Sequence, residues 1–296
     1  MAARRRVLVT GASGLLGGRL AQLLAATHDV TALRHRSPTP EGLPVVEADL
    51  LAPASLALAV ERARPDAIVH SAALADVDAC EADPERARLS NVAASAFLAR
   101  LSHAHGIRLV ALSTDLVLTG ERAWSTEDAR PAPSLVYART KLEGEEAVLE
   151  EAPQAALVRA PLILGRGFGA RLSASESIAG ALAAGRPLRL FTDQYRTPTD
   201  PESIADLVRR LVDTPARGRF HAGGPERLSR YDLALRVART LGLPESGLEA
   251  VTQATHAMGA PRPADVSLDS GRARRELEWT PRPLEAAIRE GRPATL

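Results

Sequence analysis

The sequence predicts an α/β fold, a doubly wound parallel sheet with helices on both faces and a smaller lobe at the carboxyl end. Three observations carry this prediction. Over residues 1–160, short apolar and β-branched segments alternate with helical patterns, as is typical of parallel sheets. The first of these segments runs directly into a glycine-rich turn. Beyond residue 165 the alternation becomes irregular, which indicates the additional lobe.

The composition is that of an ordinary globular protein. Of the 296 residues, 45% are hydrophobic and 25% are charged, and the net charge of +1 offers no field that would attract nucleic acid or an acidic membrane. No uncharged apolar stretch is long enough to cross a membrane. A single cysteine, Cys80, excludes an internal disulfide and fits a reducing compartment. We expect a cytoplasmic protein without nucleic-acid, membrane or metal partners.

The glycine-rich turn has the context of a dinucleotide-binding motif. A strand predicted at residues 6–10 leads into GASGLLG at 11–17, and an apolar helical pattern follows. Glycines permit a tight turn and a close approach of the backbone, and the amides of a helix N-terminus attract a pyrophosphate. The spacing is GxxGxxG rather than GxGxxG. The sequence therefore predicts a nucleotide site at this turn.

The end of the second predicted strand indicates which dinucleotide is preferred. Proteins that prefer NAD place an acidic residue here for the ribose 2′-hydroxyl. This chain has Arg34 and Arg36 instead, which suit a 2′-phosphate, although a solvated basic turn is an alternative. NADP(H) is therefore favoured over NAD(H). The third predicted strand ends at Asp49, a candidate contact for the adenine edge, followed by Leu50.

Two further strands should end at the same edge of the sheet. The fourth leads into Ala72 and Ala73, whose small side chains would let a cofactor lie close. The fifth leads into Ser113, Thr114 and Asp115. Ligands of doubly wound sheets bind outside the carboxyl ends of the strands. A hydroxyl group at this position could hold a substrate carbonyl oxygen.

Tyr137 and Lys141 are the strongest candidates for chemistry. Lys141 is the only lysine in the chain, and it lies four residues after one of only three tyrosines. On a helix this spacing places both side chains on one face. An ammonium beside a phenol favours the phenolate and lowers the phenol pKa. We therefore expect Tyr137 to exchange a proton with a substrate near neutral pH.

Asn91 is the only asparagine and lies early in a helical segment. Asparagine is an indifferent helix former, so its amide is expected to have a purpose. The amide could hold a water molecule near the Lys141 ammonium, or it could cap a helix. The sequence leaves both alternatives open.

With these segments in place, the chain resembles an extended short-chain dehydrogenase/reductase. Within that group it is most similar to the dTDP-4-dehydrorhamnose reductase (RmlD-like) family, which includes the methionine adenosyltransferase beta regulatory subunit. The segments that carry the resemblance are spread along nearly the whole chain. They are GASGLLG at 11–17, SAALADVDACE at 71–81, NV at 91–92, STDLVLTG at 113–120, YARTKLEGE at 137–145, QYRTPT at 194–199, PRPADVSLD at 261–269 and LEWTPRPLEAAI at 277–288.

The resemblance implies a Rossmann-type fold and a catalytic trio. Thr114 would bond the substrate carbonyl, Tyr137 would donate the proton, and Lys141 would lower the tyrosine pKa and bind the nicotinamide ribose. The residues then expected against the cofactor are Gly11, Ser13, Gly14, Leu15, Leu16, Arg34, Arg36, Asp49, Leu50, Ala72, Ala73, Asn91, Ser113, Tyr137, Lys141 and Pro161.

Departures from the family pattern bear on the substrate. The reductases commonly read STDYVF, whereas here Leu116 and Leu118 replace both aromatic residues. They also tend to carry an aromatic residue after the sixth strand, where this chain has Leu162. A 4,6-dehydratase is disfavoured because those relatives carry an acidic pair after the threonine, whereas Asp115 precedes a leucine. Substrate contacts are expected from Asp115, Leu162 and Arg196, although Arg196 could equally form a salt bridge.

Two regions are expected, a dinucleotide-binding domain at 1–160 and an interleaved substrate lobe at 161–296, with segments near 200–224 returning to the first. The predicted function is NADPH-dependent reduction of a keto group, most plausibly the 4-keto group of a nucleotide-linked deoxysugar. One alternative is a regulatory subunit that binds NADP without turnover. An NAD-retaining sugar-nucleotide epimerase is disfavoured by the arginines after the second strand. We also expect a homodimer formed through the Asn91 and Tyr137 helices.

Overall fold

The computed structural model describes residues 4–256 and 262–292, so Pro261 of the PRPADVSLD segment lies outside the described residues. Its strands are β1 (Arg6–Thr10), β2 (Asp29–Arg34), β3 (Val45–Glu47), β4 (Ala67–His70), β5 (Arg108–Thr114), β6 (Ala156–Ala160), β7 (Leu188–Phe191), β8 (Tyr195–Arg196), β9 (Gly218–His221), β10 (Leu228–Ser229) and β11 (Leu248–Val251).

Helices connect most of the strands. They are α1 (Leu15–Leu24), α2 (Pro53–Ala63), α3 (Val77–Ala82), α4 (Pro84–Arg88), α5 (Ala94–Ala104), α6 (Val136–Glu151), α7 (Ala174–Ala183), α8 (Pro201–Asp213), α9 (Arg230–Leu241), α10 (Gly271–Leu277) and α11 (Leu284–Glu290). A π-helical turn, Leu89–Ala93, joins α4 to α5, and a 3₁₀ turn, Asp115–Val117, follows β5.

Seven parallel strands form the main sheet in the order β3-β2-β1-β4-β5-β6-β9. The chain leaves β1 towards β2 and β3, then returns to the other side of β1 with β4. Because the winding direction reverses there, the loops after β1 and β4 diverge and leave a crevice at the carboxyl edge. The predicted Rossmann-type fold is confirmed.

Apolar side chains fill both faces of this sheet. On one face α1, α8 and α10 pack against the strands around Leu20, Phe220 and the fully buried Trp279. On the other face α2, α5 and α6 cover a second core that includes Leu98 and Leu157. Since both faces are covered, most residues of these strands are apolar, which explains why the strands could be recognised from sequence.

The smaller lobe has a core of its own. Helices α7, α9 and α11 pack around Ile178, Leu233 and Ile288. A parallel pair, β7 with β11, and an antiparallel pair, β8 with β10, complete it. Helix α8 and strand β9, which lie within or next to the 200–224 region, belong to the main sheet layer. The boundary at residue 160 stays a prediction.

The strand ends differ slightly from the sequence prediction. Strand β5 continues through Ser113 and Thr114, because both residues still pair with β6. Strand β3 stops at Glu47, two residues before Asp49. Among the helices in residues 4–256 and 262–292, none combines the length and apolar character needed to cross a membrane.

Candidate active site

The loops after β1 and β4 meet at the crevice. Gly11 has φ of +71°, and a Cβ placed there would lie 2.6 Å from the amide nitrogen of Ala72. Any side chain at position 11 would therefore collide with backbone. The glycine that the sequence assigned to the turn also brings Ala72 and Ala73 to the predicted cofactor site. Ala72 is buried, and Ala73 is partly exposed.

The start of α1 fits a pyrophosphate. Gly14 is the N-cap residue, no side chain caps the helix, and its first turn contains no acidic residue. The amides of Leu15 and Leu16 belong to the first turn, where a helix has no carbonyl partners of its own. Ser13 precedes the cap on the turn. Uncapped amides at the positive end of a helix dipole, behind a glycine turn, are the donors that a dinucleotide diphosphate requires.

Tyr137 and Thr114 are brought together from α6 and β5. The Tyr137 hydroxyl is hydrogen-bonded to Thr114, whose own hydroxyl also contacts Asp115 Oδ1 at 3.2 Å. Thr114 caps the following 3₁₀ turn by accepting a hydrogen bond from the amide of Leu116. Two hydroxyl groups thus lie side by side at the carboxyl end of a strand, an arrangement that can bind a carbonyl oxygen through two hydrogen bonds.

The Tyr137 pKa is higher than the sequence analysis expected. Burial raises it to about 12, against the hydrogen bond from Thr114 and the charge of Arg196, which lower it. The Lys141 ammonium instead donates to the carbonyl of Leu112 at 2.8 Å. The expected lowering of the Tyr137 pKa by Lys141 is therefore not what this geometry gives. Tyr137 is a protonated phenol at neutral pH.

Lys141 lies one helical turn beyond Tyr137 and is 7% exposed. Burial lowers its pKa to about 8, while the charge of Glu145 opposes that change. The ammonium form still predominates at pH 7, but a small rise in pH removes it. Lys141 is therefore a buried cation with a titration close to neutrality, a property common at functional sites.

Asp115 and Arg196 form an ion pair next to this centre. Asp115 is fully buried, and its two oxygens accept hydrogen bonds from Arg196 Nε at 2.6 Å and Nη2 at 2.5 Å. Arg196 lies on β8 of the smaller lobe. The pair joins that lobe to the end of β5. Of the two roles that the sequence left open for Arg196, the structure shows a salt bridge.

Both polar atoms of the Asn91 side chain form hydrogen bonds within the protein. Its Oδ1 accepts a hydrogen bond from the amide of Leu74, and its Nδ2 donates to the Leu74 carbonyl and to Thr140 Oγ1. Asn91 lies inside the π-helical turn rather than at a helix cap. The amide therefore ties the loop after β4 to α6.

The part of the predicted site that would bind the adenosine of the dinucleotide contains paired charges. Arg34 Nη2 lies 2.6 Å from Glu47 Oε1, whereas Arg36 is exposed and has no partner among the described residues. The Asp49 carboxylate accepts a hydrogen bond from the amide of Leu51 at 2.9 Å, so the two residues bracket Leu50 in a short turn. The same carboxylate lies 3.8 Å from His35 Nε2. Arg36 is thus free to meet an anion, while Arg34 would have to leave Glu47.

Two predicted site residues follow β6. Pro161 is buried and Leu162 is partly exposed, and the Leu162 carbonyl accepts a hydrogen bond from the amide of Thr199. The end of β6 is therefore fixed to the segment that leads into α8. Ser113, at the end of β5, donates instead to Glu145 Oε1 at 2.6 Å.

The sequence analysis missed a buried charge cluster behind the site. Glu145 is 2% exposed and Arg159 is 1% exposed. Arg159 Nε and Nη2 donate to the two Glu145 oxygens at 2.9 and 2.8 Å, and Arg219 Nε donates at 2.8 Å. The available signal was a charged residue inside an apolar strand, together with an acid four residues after Lys141.

A second missed feature is a group of arginines near Asp115. The Arg230 guanidinium makes no hydrogen bond to a described residue, and burial, then the charge of Arg196, lower its pKa to about 10. Arg262 also lies within electrostatic range of Arg230, and its Nη1 is buried without a hydrogen-bond partner among the described residues. The charge of Asp115 raises the Arg230 pKa, whereas the charges of Arg196 and Arg262 both lower it.

The chain belongs to the RmlD substrate binding domain family, whose pattern matches residues 5–292. This assignment agrees with the sheet order, the glycine turn and the paired Thr114 and Tyr137 hydroxyls.

Two relatives illustrate the range of the family. Methionine adenosyltransferase 2 subunit beta of Mus musculus is 32% identical over 274 residues, covering 90% of this chain and 80% of that protein. The "Probable low-salt glycan biosynthesis reductase Agl14" of Haloferax volcanii is 30% identical over 285 residues, covering 94% of each.

Solved structures share the same architecture. A hypothetical dTDP-4-dehydrorhamnose reductase from Sulfolobus tokodaii has a TM-score of 0.83 and 31% identity, covering 93% of this chain and 95% of that one. The dTDP-4-dehydrorhamnose reductase of Bacillus anthracis in complex with NADP has a TM-score of 0.85 and 22% identity, covering 97% and 98%. The second similarity concerns the fold alone.

Proposed function

We propose that this protein is an NADPH-dependent reductase of a keto group, acting on the 4-keto group of a nucleotide-linked deoxysugar. The observation that carries the proposal is the meeting of the Tyr137 and Thr114 hydroxyls, with the Lys141 ammonium one helical turn away. The 30% identical reductase and the 31% identical structural neighbour support the reaction class.

The residues present fit a nicotinamide dinucleotide. The uncapped amides of Leu15 and Leu16 would hold the diphosphate, and Arg36 would meet a 2′-phosphate. A reduced nicotinamide bound in this crevice would supply the hydride that the substrate carbonyl carbon accepts. Lys141 lies where its ammonium could turn from the Leu112 carbonyl to a ribose hydroxyl.

The protein side chains would then stabilise the negative charge that develops on the carbonyl oxygen. As negative charge develops there, Thr114 donates a hydrogen bond and Tyr137 donates its proton. A pKa of about 12 keeps Tyr137 in the protonated form that reduction consumes. A Lys141 ammonium that has turned from the Leu112 carbonyl towards the site would stabilise the tyrosinate until a solvent proton replaces the one transferred.

The charge near Asp115 supports an anionic substrate. Arg196, Arg230 and Arg262 contribute three positive charges, and Asp115 neutralises one of them. Arg262 Nη1 is buried and has no hydrogen-bond partner within residues 4–256 and 262–292, which carries a desolvation cost that an anionic ligand would relieve. The phosphates of a sugar nucleotide provide such a ligand.

A regulatory subunit that binds NADP without turnover is the second candidate. The 32% identity to a methionine adenosyltransferase subunit beta favours it. Because both candidates require the same cofactor crevice, the fold does not separate them. They differ in turnover and in the need for a partner enzyme. A homodimer and a cytoplasmic location remain part of either proposal.

The test is NADPH oxidation with a panel of 4-keto sugar nucleotides, comparing wild type with Tyr137→Phe. Loss of a general acid is expected to reduce turnover by about 100-fold or more while NADPH still binds. Tyr231→Phe is the matched control, because that tyrosine packs in the core of the smaller lobe. Full turnover by Tyr137→Phe would exclude it as the proton donor. NADPH binding without turnover on any panel member would favour the regulatory candidate.

A further inference from the structure

His70, the last residue of β4, lies in a buried chain of hydrogen bonds. It is 1% exposed, and its Nδ1 lies 2.7 Å from Thr10 Oγ1 at the end of β1. On the other side, its Nε2 lies 3.0 Å from Ser95 Oγ on α5. Neither the cofactor contacts nor the proposed proton transfer uses this histidine.

The direction of each hydrogen bond is determined by its neighbours. Ser95 donates its hydroxyl proton to the Asn91 carbonyl at 2.8 Å, so it must accept from His70 Nε2. Nδ1 therefore carries no proton and accepts from the Thr10 hydroxyl. Thr10 in turn accepts from the amide of Ala72 at 3.2 Å. His70 is thus a neutral Nε2–H imidazole.

The chain continues to the helix of Tyr137. Asn91 Nδ2 donates to Thr140 Oγ1 at 3.0 Å, and Thr140 Oγ1 donates to the Tyr137 carbonyl at 3.0 Å. The same Asn91 carbonyl that accepts from Ser95 lies against Gly144, where a Cβ would approach it to 2.4 Å. Two sets of hydrogen bonds that meet at Asn91, one at its carbonyl and one at its side chain, therefore join the Ala72 turn to the backbone of α6.

We propose that His70 is a positioning residue that couples the turn beside the cofactor crevice to the Tyr137–Lys141 helix. The inference rests on the proposed dinucleotide site, because the coupling would transmit to α6 the effect of a ligand that contacts Gly11 and Ala72. A ligand packed against that turn would restrain the hydrogen bonds that begin there, and these hydrogen bonds hold α6, and with it Tyr137, in position.

A neutral imidazole suits this position for physical reasons. It offers one acceptor and one donor on a rigid ring, so it can bridge two hydroxyl groups without a flexible stem. A charged ring would be buried beside Lys141. Burial, then the Lys141 charge, accordingly lower the His70 pKa to about 3. His70 therefore keeps one nitrogen as acceptor and the other as donor throughout the neutral pH range.

The test is hydrogen exchange at the amides of residues 136–144, with and without NADPH. Ser95→Ala removes the acceptor of His70. Ser102→Ala is the matched control, because it is also buried on α5 and donates to the carbonyl four residues earlier, but does not contact His70. Thr10→Val, nearly isosteric, breaks the path at its other end.

We expect NADPH to slow exchange at these amides by about 5-fold or more in wild type and Ser102→Ala. Ser95→Ala and Thr10→Val should bind NADPH yet lose most of this protection. Equal protection in Ser95→Ala and Ser102→Ala would overturn the coupling while leaving the reductase proposal intact.

A ligand-free comparison separates the two proposals. Ser95→Ala should then exchange faster at residues 136–144 than Ser102→Ala. If wild type does not bind NADPH, the proposed function fails, and this comparison still decides whether the path through His70 holds α6. Equal ligand-free exchange in the two variants would then overturn the role of His70.

Discussion

Asp115, at the carboxyl end of β5, is fully buried, and Arg196 from the smaller lobe donates to both of its oxygens. The pair is a connection between the sheet and the lobe across the proposed substrate site. Arg196 is the partner that donates to both oxygens of this buried carboxylate, so removal of Arg196 leaves the carboxylate without those two hydrogen bonds. Burial raises the Asp115 pKa against this partner's effect.

Replacing Arg196 should therefore destabilise the protein strongly. We expect Arg196→Gln to lower the free energy of unfolding by about 3–5 kcal/mol, as for other buried pairs that lose one member. Urea unfolding monitored by circular dichroism measures this. Arg100→Gln, which breaks an exposed ion pair with Glu151, should have a much smaller effect. Equal losses in the two variants would contradict the assignment.

The arginines after β2 should differ in their effect on cofactor preference. Arg36 has no partner among the described residues, so Arg36→Ala should weaken NADPH binding by about 10- to 100-fold, the value of a charge-assisted hydrogen bond. NADH binding should change little. Arg34→Ala should cost less, because Arg34 must first leave Glu47. Fluorescence titration with both cofactors decides this, and an unchanged NADPH affinity in the double variant would refute the preference.

The Lys141 pKa predicts an alkaline limit to turnover. Raising pH through about 8 removes the ammonium, so the rate of NADPH-dependent reduction should fall above that pH. Tyr137, with a pKa of about 12, remains protonated there and cannot cause the decline. Lys141→Arg should be slower at pH 7 but should lack the alkaline decline, since a guanidinium keeps its charge. A pH–rate profile of both proteins tests the assignment.

The cluster of Glu145, Arg159 and Arg219 permits a double-mutant test. Glu145→Met should lose about 3–5 kcal/mol of stability, because Arg159 remains charged and buried. Adding Arg159→Met should recover much of that loss, and the partly exposed Arg219 can turn to solvent. Thermal and urea unfolding of Glu145→Met, of Arg159→Met and of the double variant gives the coupling energy. Additive losses would show that the two side chains act independently.

Much of the fold could be predicted from sequence because buried parallel strands are apolar and end in glycine or small residues. The parallel strands also bring Gly11, Ala72 and Thr114 to one edge of the sheet, where the sequence places the site, and the roles of these residues stay a prediction. The partners of charged residues could not be predicted in the same way. The pairing of Arg159 with Glu145 depends on the packing of α6 over β6, and no local pattern in the sequence predicts that packing.

Two local expectations depended on contacts that only the folded chain defines. The Asn91 amide binds Leu74 and Thr140, because a π-helical turn directs it towards the loop after β4. The Tyr137 pKa is raised rather than lowered, because burial outweighs the nearby charges and Lys141 donates to Leu112. Sequence spacing predicts a shared helix face but not the direction of each polar atom.

Strand β9 completes the main sheet only after the chain has passed through α7 and α8. During synthesis, the growing chain therefore carries β6 as an open edge until residue 221 has emerged from the ribosome. An open parallel edge presents unpaired amides and carbonyls to other chains. A fragment ending at residue 160 should consequently aggregate when expressed alone, and gene fusions should be made at the chain ends rather than between the two lobes.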